Sequence, residues 1–477
     1  MTKISQTNKD ITAVAQKYCK LVITEDAANW HRLVECVDGT LEYRIGAGKW
    51  NDMSARKFIT FVRTVVQAAK SHQIEHLALQ APVAMLPAIL KEHDSAWILS
   101  TLAENLTLAA YEFTKYKSTK SKRKKLLEIV VCGGLTPAEK KAFKRGIIVG
   151  QAANISRDIA NTTAQDMTPI KLGNAAKKLV SGTKVSVKVL GEKELQKLKM
   201  GLLLAVGAGT KHESQLIVME YWGAGKPKKG DISKVNRPIV YVGKGITFDT
   251  GGLNIKPTGH MHEEHMDLCG GATVIGAIQA IAKLGLKKNV VGIIATAENS
   301  ISDTAMRPSD IYTAMNGKTV EIMHTDAEGR LALADGMTYA ERFNPKVMID
   351  IAGLTGASLI ALGTHASAIM TQDRLLQDTI EKLGESAGDY MAPLPLWDEY
   401  KPYIRSTRAD IANIAPSFSK LGGTIEGGIF LSFFAPKNVP WAHLDIAPRR
   451  SSSKSDKLSP GFTGEPVRLL VRFAETY

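Results

Sequence analysis

Cysteine is scarce in this 477-residue sequence: Cys19, Cys36, Cys132 and Cys269 are the only four, and no two form a C-x-x-C pair. That excludes a disulfide framework and a zinc finger and fits a reducing compartment. A long run of purely apolar residues is also missing. The most apolar stretch, Val347 to Met370, carries Asp350, His365 and three glycines, so it reads as buried sheet and turn rather than a membrane span. The opening MTKISQTNKDITAVAQKYCK has no apolar signal core, so a cytoplasmic location is expected.

Basic charge is plentiful: 61 Lys+Arg against 47 Asp+Glu, or 61 − 47 = +14. Residues 1–140 hold 20 basic and 14 acidic side chains, or +6, which leaves +8 for the rest, so the excess is diffuse. One dense run, Lys115 to Lys125, is broken by Ser and Thr and contains Tyr116 as its one aromatic. It reads as a solvated loop feeding a strand rather than a nucleic-acid patch. With 44% hydrophobic and 23% charged residues the composition is that of a globular chain. Its length implies two or three domains at roughly 150 residues each.

The first third alternates short apolar runs with polar turns, as a small α/β unit does. Residues 136–161 open with Thr-Pro and continue at helical period, which predicts a linking helix. The predicted division is therefore an N-terminal α/β domain over 1–135 and a catalytic domain over 136–477. In the latter, strand candidates at 214–222, 238–243, 289–299, 319–325, 346–356 and 441–447 alternate with helices at 272–285 and 331–343. That pattern predicts an α/β fold with a mainly parallel central sheet flanked by helices. Ligands in such folds sit at the carboxyl ends of the strands.

Two segments following predicted strands carry chemistry. Lys244-Gly-Ile-Thr-Phe-Asp249-Thr-Gly-Gly252, then Lys256, reads as a Gly-rich loop that fits neither phosphate-loop pattern. Its Lys and Asp alone would be no more than an ion pair. GAGKPKKG (223–230) is a decoy, because Pro follows its Lys. His324-Thr-Asp326-Ala-Glu328-Gly-Arg330 sets two carboxylates side by side, which is costly unless a cation separates them. The bland alternative is a pair of helix N-terminal acids. HMHEEHMDLCGG (260–271) fits no zincin spacing.

Together these segments resemble the leucyl (cytosol) aminopeptidase family. The resemblance is carried by GKGITFDTGG with Lys256, DLCGGA (267–272) and TDAEGRL (325–331). It continues through IAGLTGA (351–357), LPLWDEY (394–400), GGTIEGGIFL (422–431), WAHLDIA (441–447) and GFTGEPV (461–467), and RDIANTTAQDMTP (157–169) resembles the family's entry into its catalytic domain. It implies one divalent cation on Lys244, Asp249, Asp267 and Glu328 and another on Asp249, Asp326 and Glu328. Zn²⁺ or Mn²⁺ suits that donor set, with Mg²⁺ or Co²⁺ possible. It further implies that Lys256 stabilises an oxyanion, that Arg330 holds a bicarbonate acting as general base, and that the Leu354 backbone orients the peptide amide. Substrates would be short peptides with a free N-terminus, and the assembly a homohexamer.

The sequence departs from the family's pattern at several positions. His324 replaces the usual Asn and is read either as a hydrogen-bonding neighbour of Asp326 or as a neutral swap. His260, His262 and His265 are read as a solvated loop. Glu264 stands where an apolar residue usually lines the pocket for the substrate's first side chain, and Glu426 lies in a second segment near it. Two carboxylates there would favour Arg or Lys over Leu; both turning to solvent or pairing with local Lys is the alternative. Gly353 and Gln165 replace Thr and Asn away from the expected ligands. Two readings compete with the aminopeptidase: a DNA-binding or regulatory relative, resting on the Lys115–Lys125 run and a pI of 9.4, and a two-metal phosphatase, which leaves the motif order unexplained.

Overall fold

The computed structural model describes residues 2–28, 30–119, 123–227, 236–418 and 421–477. The chain forms two compact units, residues 1–154 with 452–460, and 155–451 with 461–477.

The first unit is a six-stranded sheet. Its strands are β1 (Lys3–Thr7), β2 (Cys19–Thr24), β3 (His31–Glu35), β4 (Leu41–Gly46), β5 (His76–Gln80) and β6 (Glu128–Cys132), in the order β1-β6-β5-β2-β4-β3. All neighbours are parallel except β3/β4. Helices α1 (Ala55–Ser71) and α2 (Ser95–Ala110) start at Ser54 and Asp94, whose side chains accept the N–H of Lys57 and Trp97. The described part of the Lys115–Lys125 run is loop leading to β6, with Lys124 paired to Glu75; residues 120–122 lie outside the described residues. Helix α3 (Pro137–Ala160) occupies the segment predicted as the linking helix.

The second unit is built on an eight-stranded sheet. After α4 (Pro169–Leu179) come β7 (Val185–Leu190), α5 (Glu192–Lys197), α6 (Gly201–Gly207), β8 (Gln215–Trp222) and β9 (Ile239–Asp249). Next are α7 (Cys269–Leu284), β10 (Asn289–Asn299), the short strands β11 (Ile311–Thr313) and β12 (Thr319–Glu321), α8 (Gly329–Ala340) and β13 (Val347–Ala352). The chain ends with α9 (Gly356–Leu362), β14 (Ser367–Met370), α10 (Arg374–Ala387), β15 (Met391–Pro393), β16 (Ile411–Ala412), α11 (Gly423–Ser432), β17 (Trp441–Asp445) and α12 (Val467–Thr476). The sheet order is β15-β14-β17-β13-β9-β10-β8-β7, and its central four strands, β17, β13, β9 and β10, run parallel. Antiparallel pairs lie to either side, at β14/β17, β8/β10 and β7/β8. The α/β fold with a mainly parallel centre is thus the one the sequence predicts.

Helices cover both faces. A Cβ on Gly292 of β10 would touch Val274 and Ile278 of α7, whereas Gly336 of α8 faces Val242, Ile293 and Ala295 on the other side. Small residues let α7 sit close, since Gly243 of β9 approaches the Gly271 Cα to within 2.7 Å of where its own Cβ would be. Segment Glu264–Leu284 is long and apolar enough to cross a membrane, but its window is 83% buried inside the fold, as in a core helix.

Two local expectations are corrected. Lys244 to Asp249 is strand rather than loop, because β10 stays paired with β9 as far as Asn299. Conversely, β12 stops at Glu321 and pairs with β11 and β16 in a separate three-stranded sheet. The ladder ends there: Ile322 donates to Asp310 O, and Asn413 Oδ1 takes the N–H of Met323 at 2.8 Å and of His324 at 3.3 Å.

Candidate metal centre

The four central strands end, at their carboxyl side, in Asp249, Asn299, Ala352 and Asp445. Lys244 and Asp249 are five apart and would point to opposite faces of a regular strand. A bulge changes that. Ile246 pairs with Ala297 and Asp249 with Asn299, so β9 spends one residue more than β10 and Asp249 returns to the face of Lys244. This is the α8 face, where Gly329 leaves room: a Cβ there would lie 2.6 Å from Lys244 Nζ. Glu328 directly precedes α8, Asp326 stands two residues earlier, and Asp267 ends the short turn that leads into α7.

These segments converge. Lys244 Nζ lies 2.7 Å from Asp267 Oδ2 and 2.9 Å from Glu328 Oε1, and donates to Gly353 O at 3.3 Å. Lys256 Nζ lies 2.7 Å from Asp249 Oδ2 and 2.6 Å from Asp326 Oδ1. Asp249 Oδ1 also accepts from Asn299 Nδ2 and Gly251 N, each at 2.8 Å. Two groups have carboxylate oxygens within 4.8 Å of one another, Asp249/Asp326/Glu328 and Asp249/Glu264/Asp267.

Burial disfavours charge on Lys244, Lys256, Asp267, Asp326 and Glu328, and the balance is set by the mixture. Asp267 is pushed up to about 6 by burial, with Lys244 opposing and Glu264 and Asp249 adding to the rise. Asp326 and Glu328 rise to about 7 through burial and then the charge of Asp249. Burial opposes the Lys244 ammonium too, but Asp267, Glu328 and Asp249 overcome it and hold the amine well above its ordinary range. Lys256 is raised in the same way by Asp249, Glu328 and Asp326. Four carboxylates against two ammonium groups leave 2 − 4 = −2. Oxygen-rich, negative and buried, with one amine, this donor set fits divalent cations.

Arg330 lies beyond Glu328, in the first turn of α8, where Nη1 donates to Asn413 O at 2.8 Å and sits 3.5 Å from Glu426 Oε1, while its buried Nε has no hydrogen-bond partner. Leu354 follows β13, its N–H held by Asp445. Glu264 is buried, 2.9 Å from Arg450 Nη2 and 3.8 Å from Lys256 Nζ. His324 Nδ1 accepts from the backbone N–H of Asp326 at 3.3 Å, so the contact is with the Asp326 backbone. His260 and His262 are exposed and His265 half-buried, and none belongs to either carboxylate group. Sequence reasoning missed Asn299, Asn413, Asp445 and Arg450. Only Asp445 carried a usable signal, as a carboxylate closing an otherwise apolar strand.

Known proteins resemble this chain over most of its length. Residues 154–471 match the model of the cytosol aminopeptidase family, catalytic domain, and residues 43–120 match that family's N-terminal domain. The chain is 40% identical over 435 residues to a probable cytosol aminopeptidase of Paraburkholderia phymatum, covering 90% of this chain and 82% of that protein. To one of Vibrio campbellii it is 38% identical over 449 residues, covering 92% and 86%. Among solved structures it is similar to the bottromycin maturation enzyme BotP in complex with Mn, with a TM-score of 0.84, 28% identity and coverage of 100% and 99%. This chain therefore belongs to the cytosol aminopeptidase family, as a metal-dependent hydrolase of the leucyl aminopeptidase type that acts as an exopeptidase on peptides.

Proposed function

We propose that the chain removes the N-terminal residue of short peptides using two divalent cations, Zn²⁺ or Mn²⁺, held by Lys244, Asp249, Asp267, Asp326 and Glu328. The observation that carries this reading is the convergence of four carboxylates and two lysines from three segments, with two overlapping carboxylate groups that share Asp249. Such ions supply Lewis acidity and lower the pKa of water.

The chain's own residues do the rest. Lys244 must lose its proton to donate a lone pair, and the carboxylates that now hold its ammonium are the groups a cation would take over. Lys256 keeps its proton; its ammonium, fixed by Asp249 and Asp326, stabilises negative charge developing on the substrate's carbonyl oxygen. Arg330, with a buried and unpartnered Nε, offers a site for a small anion, and bicarbonate there would supply a base. The Leu354 backbone orients the peptide.

Glu264 and Glu426 already face Arg450 and Arg330. With both carboxylates engaged, the preferred first residue is Leu-like; a basic first residue is the second reading, and the substrate panel described below separates them. Family membership supports a homohexamer with a cytoplasmic location, which sedimentation and fractionation would test. For the reaction itself, Leu-amide hydrolysis is expected to disappear with a chelator, return with Mn²⁺ or Zn²⁺, and be absent in Asp326→Asn.

A further inference from the structure

Asp445 ends β17 and is fully buried. A carboxylate in that position is costly unless every oxygen is satisfied, and its oxygens take four hydrogen bonds. Oδ1 accepts from the N–H of Leu354 at 3.0 Å and of Ala447 at 3.1 Å. Oδ2 accepts from the N–H of Thr355 at 3.1 Å and from its hydroxyl at 2.6 Å. One side chain thus ties together the loops that follow β13 and β17.

The bond to Leu354 reaches further than the loop. Leu354 N–H and Gly353 C=O belong to the same planar peptide unit. Asp445 grips the N–H end of that plate, and the carbonyl end accepts from Lys244 Nζ at 3.3 Å. The Thr355 hydroxyl that donates to Asp445 is also 3.0 Å from Thr424 Oγ1 in the first turn of α11. Glu426, two residues on, faces Arg330 at 3.5 Å. A strand end that only needed to pack would be served by an apolar residue, whereas this carboxylate has one connection toward Lys244 and another toward Arg330.

We propose that Asp445 is a positioning residue for the hydrolysis: through the Gly353–Leu354 peptide it sets the direction of the Lys244 amine, and through Thr355 it sets the first turn of α11. This rests on the reading of Lys244 as a metal ligand.

The test compares metal retention and kinetics in the full-length protein carrying Asp445→Asn or Thr355→Val. Asp445→Asn keeps the shape but leaves one oxygen for two sets of donors, so its NH₂ group meets either the N–H of Thr355 or those of Leu354 and Ala447, and the loop carrying the Gly353–Leu354 plate shifts. Chelator competition with Mn²⁺ as the probe is expected to show affinity roughly 10–100-fold weaker, the range seen when groups orienting a ligand are removed. Thr355→Val leaves the Leu354 bond intact, so its Mn²⁺ affinity should stay within about threefold of wild type while kcat falls. Unchanged Mn²⁺ affinity in folded Asp445→Asn, or a lowered Tm as its only effect, overturns the proposal. So does unchanged kcat in Thr355→Val, which also decides the matter if Asp445→Asn does not fold. A wild-type protein that retains no Mn²⁺ would instead refute the metal-site reading beneath it.

Discussion

Glu264 and Arg450 form an ion pair of 2.9 Å beside the carboxylate cluster, with Glu264 buried and the Arg450 side chain 24% exposed. The pair neutralises one of the two glutamates that would mark a preference for basic substrates, Glu426 being the other. Glu264→Ala is accordingly expected to leave the Leu- to Lys-amide ratio of kcat/KM within about threefold of wild type. Arg450→Met frees the carboxylate and should shift the ratio toward Lys by about tenfold, an unpaired charge being worth about 1.4 kcal/mol or more there. Steady-state kinetics on Leu-, Arg- and Lys-amides checks both.

Metal uptake should release protons. Asp267, Asp326 and Glu328 sit at about 6, 7 and 7, so near pH 6 they are partly protonated and a cation must displace those protons together with one from Lys244. Affinity therefore rises as pH increases through 6 to 7. Calorimetry in buffers of different ionisation enthalpy would count the protons. Metal at about 100 times its Kd should also raise stability by about 2.7 kcal/mol per site, read as a higher Tm.

The carboxylates and lysines of this cluster come in three compact segments, each in or next to a regular element, which is why the sequence could single them out. What the motifs did not reveal was geometry. The parity of Lys244 and Asp249 depends on a bulge that no residue pattern announces, and without it the two would face opposite sides of the sheet. The strand predicted over 319–325 ends at Glu321: Ile322 donates to Asp310 O, and Asn413, about ninety residues away, captures the N–H groups of Met323 and His324. Asn299, Asn413 and Arg450 are ordinary polar residues whose roles exist only in the fold.

Close packing between α7 and the sheet makes its glycines intolerant. A Cβ on Gly270 would lie 2.1 Å from Ile351 O and 3.1 Å from Lys244 N, both backbone atoms. Gly270→Ala is expected to cost about 1–3 kcal/mol or more and to displace the strand carrying Lys244. Denaturant unfolding measures the first effect and Mn²⁺ retention the second.

Below the sheet's carboxyl edge, Asp350 binds His443 Nδ1 at 2.5 Å and accepts from Trp441 Nε1 at 2.8 Å, all buried. Burial works against the imidazolium, but Asp350, and after it Asp445, hold its pKa above the ordinary value. A raised folded-state pKa means that the pair's stabilisation is fully present below the unfolded value of about 6.5 and is lost as pH rises through the folded one. Asp350→Asn should thus cost about 3–5 kcal/mol near pH 5.5 and less in alkali, which urea unfolding at several pH values would show.

Hydrolysis of Leu-p-nitroanilide and its N-acetyl derivative, by protein stripped of metal and then reloaded with Mn²⁺ or Zn²⁺, separates a two-ion exopeptidase from every alternative. Expected are no turnover when stripped, turnover of the free-amine substrate on reloading with two ions bound per chain, none of the acetylated one, and none by Asp326→Asn. Turnover by the stripped protein, or equal cleavage of the acetylated substrate, would contradict it.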